Sequence, residues 1–221
     1  MSRLFDSVIE NLREDLFRMG GLAEAILDKA LRSVWEGDRA LAEEVAPDDL
    51  EIDRLDVALD EAILKALALQ APVAEDLREV MAINMIATDL ERVGDIARNI
   101  AKGALRLVAH GGEVQLPASL TSLSRAAQAS LRTALDAFSR NDAGLAQSVL
   151  DGDDAIDDQQ DEVVRSLLRG LEERAGSASQ GVDMIFLAKH LERIADHATN
   201  IAEDVILVTE ARNVKHAEKL G

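Results

Sequence analysis

The chain has 221 residues, with 24 Lys and Arg against 42 Asp and Glu and a formal charge of -18 at pH 7. It lacks the basic footprint that a nucleic-acid surface needs, so no nucleic acid is expected as a partner. At 48% hydrophobic and 30% charged residues it can bury a sizeable core, and with no cysteine it has no disulfide, thiol nucleophile or thiolate metal site. Any metal must be held by oxygen or nitrogen.

The longest stretch without a charged side chain, Val114 to Ser124, is 11 residues, whereas a membrane span needs roughly 20 apolar ones. No direct membrane span is expected. The N-terminus turns acidic within six residues and has no apolar signal core, which points to the cytoplasm, with any membrane association made through a protein partner.

Three prolines, five aromatic residues and no tyrosine leave little for a β-sandwich or barrel, while Ala, Leu, Glu, Asp and Arg recur at helical spacing. The expected fold is all-α. A first helix runs from about Arg3 to Glu36 and stops at Gly37; a second starts near Asp38, kinks at Pro47 and continues to about Gln70. Pro72 is a favourable first position for a third helix, which lasts to about His110. Gly111-Gly112 then breaks the pattern and Pro117 opens a fourth helix ending near Asn141. The fifth covers about Asp142 to Arg174, and Gly176 to Ser179 is the turn into the sixth. The result is six helices in two tandem three-helix bundles, residues 1–112 and 113–221.

The halves repeat each other. Leu90 to Ala101 aligns without a gap on Leu191 to Ala202, offset by 101, with 8 of 12 positions identical. A weaker echo at offset 104 places Asp49-Leu50-Glu51-Ile52-Asp53 over Asp153-Asp154-Ala155-Ile156-Asp157. The bundles are therefore related by internal duplication.

On the third helix Ile83, Ile86, Leu90, Val93, Ala97 and Ile100 form one stripe, and Met184, Leu187, Leu191, Ile194, Ala198 and Ile201 form its counterpart. These are the expected core faces. Measured from Leu90, Glu91 sits at about 100°, Asp95 at about 140° and Asn99 at about 180°, so the repeated polar residues are expected on an outer face. On the second helix Asp49, Asp53, Asp56 and Asp60 follow one flank of the apolar stripe, while the other half retains only Asp153 and Asp157.

Hairpin arithmetic connects these motifs. Asp53 and Glu91 are each 19 residues from Pro72, and Asp49 and Asp95 each 23, so in an antiparallel pair four carboxylates come level. In the second half, Asp157 with Glu192 and Asp153 with Asp196 share the midpoint 174.5, beside the turn. Carboxylates this close repel, take up protons or bind cations, and an all-oxygen set suits Mg²⁺, Mn²⁺, Ca²⁺ or iron. The pattern predicts one metal site, mononuclear or multinuclear, in each half: Asp49, Asp53, Glu91 and Asp95, and Asp153, Asp157, Glu192 and Asp196. The competing reading is that two acidic flanks are simply solvated.

Little points to catalysis. The positions three after Glu91 and Glu192 hold Gly94 and Ala195, where a di-iron carboxylate bundle would carry histidine. There is no Gly-x-x-x-x-Gly-Lys loop for a nucleotide and no evident enclosed pocket beside the acids. His197 follows Asp196 and points about 100° away from it, so it is a weak ligand candidate; His110, His190 and His216 read as surface residues.

The sequence Leu-Glu-Arg-x-Gly/Ala-Asp-x-Ala-x-Asn-Ile-Ala, closing each of two three-helix units, resembles the PhoU family of bacterial phosphate-signalling proteins. Gln70 to Arg78 looks like the family's turn between second and third helices, whereas Ala175 to Gly181 departs from that pattern. The resemblance implies multinuclear metal clusters, of iron, zinc, manganese or magnesium, on the two acidic sets named above. It also implies a non-enzymatic role in phosphate homeostasis: restraint of the high-affinity phosphate transporter and of the phosphate-regulon sensor kinase when phosphate is plentiful. The implied partners are the ATPase subunit of the phosphate ABC transporter and the phosphate-sensing histidine kinase, at the inner membrane through those partners, with a homodimer left open. The alternative is a metal-dependent hydrolase or phosphatase on a carboxylate-rich bundle, separable by a phosphatase assay on metal-loaded protein.

Overall fold

A computed structural model of the protein describes residues 2–110, 116–173 and 178–215. Its six helices are α1 (Ser2–Glu36), α2 (Arg39–Gln70), α3 (Glu75–Ala109), α4 (Ala118–Arg140), α5 (Ala143–Glu173) and α6 (Ala178–Glu210), and there is no strand among the described residues. The expected junction at Gly111-Gly112 and most of the turn before α6 lie outside the described residues.

Local chemistry fixes the ends. Gly37, at a φ of +63°, lets the chain leave α1 in the left-handed region that glycine enters without a steric cost. Asp38 then caps α2 by accepting the Leu41 amide at 3.0 Å. Pro47 lies inside α2 and the helix continues through it. Pro72 does not open α3: the chain is left-handed at Ala71, again has positive φ at Ala74, and becomes helical at Glu75, where Glu75 and Asp76 face the positive end of the helix dipole. The proline's φ restriction is spent in the connection, not in the helix. Asn141 ends α4 in the left-handed conformation, and Asp142 accepts the amides of Gly144 and Leu145 at 2.9 and 3.0 Å to start α5.

In the first bundle α1 packs on α2 and α3; in the second α4 and α5 pack on α6. Both expected core stripes are buried: Ile83, Ile86, Leu90, Val93, Ala97 and Ile100 at 1% exposure or less, and Met184 through Ile201 at 6% or less. Where the bundles meet, α3 lies against α6, with a smaller contact between α1 and α4. Asp89 meets His197 and Asn200 while Arg106 meets Asp183, so α3 and α6 run antiparallel.

This seam is polar. The Asp89 Oδ1 atom accepts from Asn200 at 3.1 Å and lies 2.7 Å from Nδ1 of His197. Nearer the end of α3, Arg106 donates to the almost buried Asp183 at 2.6 Å, and Nε2 of His110 lies 3.0 Å from its other oxygen. Asp204, fully buried on α6, pairs with Lys215 at 2.8 Å. The expectation that Asn99 and Asn200 share the acidic outer face is therefore corrected: Asn200 turns into the seam, and Asn99 lines a crevice there with Arg106, Asp183 and His190. His110 is exposed, as expected, with its Nε2 against Asp183, whereas His190 is not a surface group. His190 is half-buried, its Nδ1 has no hydrogen-bond partner, and burial lowers its pKa below the usual imidazole value. His216 lies outside the described residues.

A second contact, between α1 and α4, sets Phe17 against Phe138 with ring centroids 5.5 Å apart; the Arg13 guanidinium lies 4.9 Å over the Phe138 ring and bonds Glu79 of α3 at 2.7 Å.

Leu90 and Leu191, both 0% exposed, stand at equivalent places in the two cores. Replacing either by Ala should lower the unfolding free energy by about 2–5 kcal/mol in urea titrations. Gly170, inside α5, has nothing within 4 Å of where a Cβ would stand. Gly170→Ala should therefore raise stability by about 1 kcal/mol through helix propensity alone, and an unchanged or lowered midpoint would show that this stretch of α5 is not helical in solution.

Candidate functional site

In the first half, α2 and α3 bring Asp49 against Gly94 and Arg98, the residues that bracket Asp95, as the equal distances from the hairpin turn require. Asp49 is 1% exposed. Its Oδ2 accepts from Arg98 at 2.6 Å, and the same guanidinium binds Asp95 through its other terminal nitrogen. The second oxygen of Asp49 has no hydrogen-bond partner and rests on the backbone of Gly94, where a Cβ would come within 2.5 Å of it. Asp53 and Glu91 lie further along the same face and are half-buried.

Burial raises the pKa of Asp49, the Arg98 charge works against that rise, and Asp53 and Asp95 add to it. Glu91 is raised first by burial, with Arg92 opposing, and then by Asp95, Asp56 and Asp53. Desolvation thus outweighs like-charge repulsion, the reverse of what spacing along the sequence suggests.

The second half is arranged differently. Asp153 and Asp157 of α5 and Asp196 of α6 each offer a carboxylate oxygen, all within 4.8 Å of one another, and no other such group of three occurs among the described residues. Asp153 is half-buried and the other two are exposed on their outer edges. Thr199 donates its hydroxyl to Asp153 at 3.0 Å. No lysine or arginine forms an ion pair with Asp153, Asp157, Glu192 or Asp196 among the described residues.

Without such a cation, the carboxyl of Asp196 is pushed up to about 6, by burial against α5 first and then by Glu192, Asp153 and Asp157. Asp157 is raised in the same way, by burial and then by Asp153 and Glu192. Glu192 is half-buried and flanks the trio as a fourth negative group. Three converging carboxylate oxygens with no cationic partner fit a hard divalent ion of the Mg²⁺, Mn²⁺ or Ca²⁺ kind, which takes oxygen ligands and completes its shell with water. His197, bonded to Asp89 across the seam, is turned away from them.

Arg98 escapes a reading of acidic residues alone. It lies three residues after Asp95, which puts it on the same helical face, and that spacing was the available signal. The seam partners Asp89, Asp183 and Arg106 carried no comparable signal, because their partners sit 73 to 111 residues away.

A family profile described as the PhoU domain matches the chain twice, over residues 16–104 and 120–205. The phosphate-specific transport system accessory protein PhoU homolog of Pseudomonas putida is 35% identical over 216 residues, spanning 98% of this chain and 84% of that one. The Escherichia coli accessory protein PhoU is 32% identical over 98% of this chain and 89% of its own. In three dimensions, the crystal structure of PhoU from Pseudomonas aeruginosa superposes with a TM-score of 0.91 at 34% identity, covering 94% of this chain and all of that one. These relatives are named as accessory proteins and not as enzymes. With both halves matched separately and the whole six-helix arrangement reproduced, the chain belongs to the PhoU family.

Proposed function

We propose that the protein is a non-enzymatic regulator of phosphate uptake, working in the cytoplasm as an adaptor on the high-affinity phosphate transporter and on the phosphate-regulon sensor kinase, and restraining both when phosphate is abundant. Residues 1–112 and 113–221 act as its two units. The observation that carries this reading is the match to phosphate-transport accessory proteins over 98% of the chain. That no helix among the described residues is long and apolar enough to cross a membrane fits an adaptor that reaches the transporter through its ATPase subunit.

The cation-binding part of the reading rests on Asp153, Asp157 and Asp196, with Glu192 beside them. Those side chains would hold a divalent ion, which would offset part of their negative charge and would leave coordination positions for an acidic or phosphorylated group. The side chains themselves hold the ion from two helices, and Thr199 fixes the orientation of Asp153. A protein with a formal charge of -18 otherwise meets basic surfaces by long-range attraction alone, which is salt-sensitive and weakly directional. An ion at the trio would add a directional contact for an acidic or phosphorylated group on the same partner.

Pull-down with the transporter's ATPase subunit should succeed in the presence of Mn²⁺ and weaken at least tenfold for Asp153→Asn/Asp157→Asn/Asp196→Asn. Equal capture by both proteins would remove the metal from the mechanism, and failure of capture by the wild-type protein would remove the adaptor role. The metal-loaded protein should release no phosphate from a generic phosphomonoester.

Metal also sets a pH dependence. Asp196 has a folded pKa of about 6 against an ordinary value of 3.8, so its protonated form is favoured by folding. Its contribution is fully present below about 4 and is lost as pH rises through about 6. The metal-free protein should therefore melt at lower temperature at pH 7 than at pH 4.5, and Asp196→Asn should remove part of that slope. Asp204, also raised to about 6 by burial despite Lys215, keeps part of the remainder, together with the raised Asp49, Glu91 and Asp157. Saturating Mn²⁺ should raise the melting temperature more at pH 7 than at pH 4.5, since protons compete for the same oxygens. The stabilisation is roughly 2.7 kcal/mol at a hundredfold excess over Kd. A metal-induced rise that is independent of pH and survives neutralisation of the trio would show screening of net charge instead.

A further inference from the structure

We propose that the duplicated acidic clusters have diverged into one cation site and one closed ion-pair network, in which the Arg98 guanidinium of the first half stands in place of a metal ion. This rests, for the second half, on the cation site put forward above.

Three differences between aligned positions carry the assignment. Arg98 corresponds to Thr199 at the 101-residue offset. The arginine spans Asp49 and Asp95 with its two terminal nitrogens, whereas the threonine makes a single neutral hydrogen bond to Asp153. A guanidinium keeps its charge at every accessible pH and presents a planar fork of donors suited to bridging carboxylates. It therefore offsets one of the two negative charges it bridges and repels a divalent ion from the space between them.

The second difference is Gly94 against Ala195. Asp49 sinks to 1% exposure because Gly94 has no side chain: a Cβ there would meet Asp49 Oδ1 at 2.5 Å and Ile52 Cδ1 at 3.1 Å. Ala195 carries that Cβ in the second half, and Asp153, the counterpart of Asp49, remains half-buried. The third difference follows from the other two. Asp153, Asp157 and Asp196 converge to within 4.8 Å as free oxygens, while Asp49 turns one oxygen to the Gly94 backbone and gives the other to Arg98. Glycine admits the carboxylate, arginine locks it, and among the described residues no three carboxylate oxygens of the first half converge to within 4.8 Å.

The test is elemental analysis of the full-length protein after loading with Mn²⁺ alone and gel filtration, with bound ions counted per chain. Asp157→Asn/Asp196→Asn should lose all bound Mn²⁺, and Asp53→Asn/Glu91→Gln should retain the full wild-type count. Gly94→Ala/Arg98→Thr, which copies the second half into the first, should gain at least one ion per chain, and adding Asp95→Asn should abolish the gain. Loss of an ion on Asp53→Asn/Glu91→Gln, or a folded Gly94→Ala/Arg98→Thr protein with an unchanged count, would overturn the inference while leaving the second-half site intact. A wild-type count of zero would overturn that site, and with it the contrast drawn here. Should Gly94→Ala/Arg98→Thr fail to fold, the first two variants still decide.

Discussion

Polar groups buried between the two bundles constrain everything else in this molecule. The α3–α6 seam is where one repeat must recognise the other, and a carboxylate taken out of water there is costly unless a donor meets it. The acids on the seam have partners there: Asn200 and His197 for the half-buried Asp89, Arg106 and His110 for Asp183, and the charge of Lys215 at 2.8 Å for the fully buried Asp204, whose oxygens have no hydrogen-bond partner. These pairs need one register and one direction of α6 along α3. An apolar seam of the same area would tolerate sliding; this one does not, because a slip of one turn strands several charges at once.

The seam also assigns the faces of both central helices. On α3, Leu90 points into the first core, Glu91 lies about 100° to one side toward α2, and Asp89 lies about 100° to the other side toward α6. One residue's difference in position separates an acid that joins the candidate metal face from an acid that holds the bundles together. Asp89-Leu90-Glu91 thus serves three neighbours in turn, and the asparagine that recurs further along both helices belongs to the seam. Duplication explains the economy: a unit that packs against its own copy needs one helix that reads core, flank and partner within a few residues.

Much of this was legible in the sequence, for reasons that can be named. Helix ends at Gly37, Asn141 and Asp142 follow from single-residue backbone and capping preferences, and the core stripes follow from a period of 3.6. Levelling of Asp49 with Asp95, and of Asp153 with Asp196, needed only equal distances from a turn. Pro72 misled because a proline that suits a first helical turn equally suits a tight connection, and the positive φ of Ala71 and Ala74, unusual for alanine, has no local signature. The polar seam looked like solvent-facing surface because exposed and cross-paired acids have the same one-dimensional pattern. Only the packing of distant segments separates them.

That ambiguity bears on the acidic clusters most directly. A carboxylate cluster has three ways to remain folded at neutral pH: water, protons or cations. The first half takes a cation from its own chain, so Asp49 can be dry and still tolerated. The second half keeps its oxygens at the surface, where Asp157 and Asp196 are wet on one side, yet burial on the other side still lifts Asp196 to about 6. Such a group titrates closer to neutrality than an ordinary aspartate, and added local positive charge lowers it again. Burial and, after it, like-charge repulsion set the cost of ionising it, and a metal or a basic partner surface would offset that cost on arrival. An arginine offsets part of the same cost at every pH, and Asp49 stays raised by burial even so. On the divergence proposed above, one half carries a fixed cation of its own, and the other answers to whatever positive charge is brought to it.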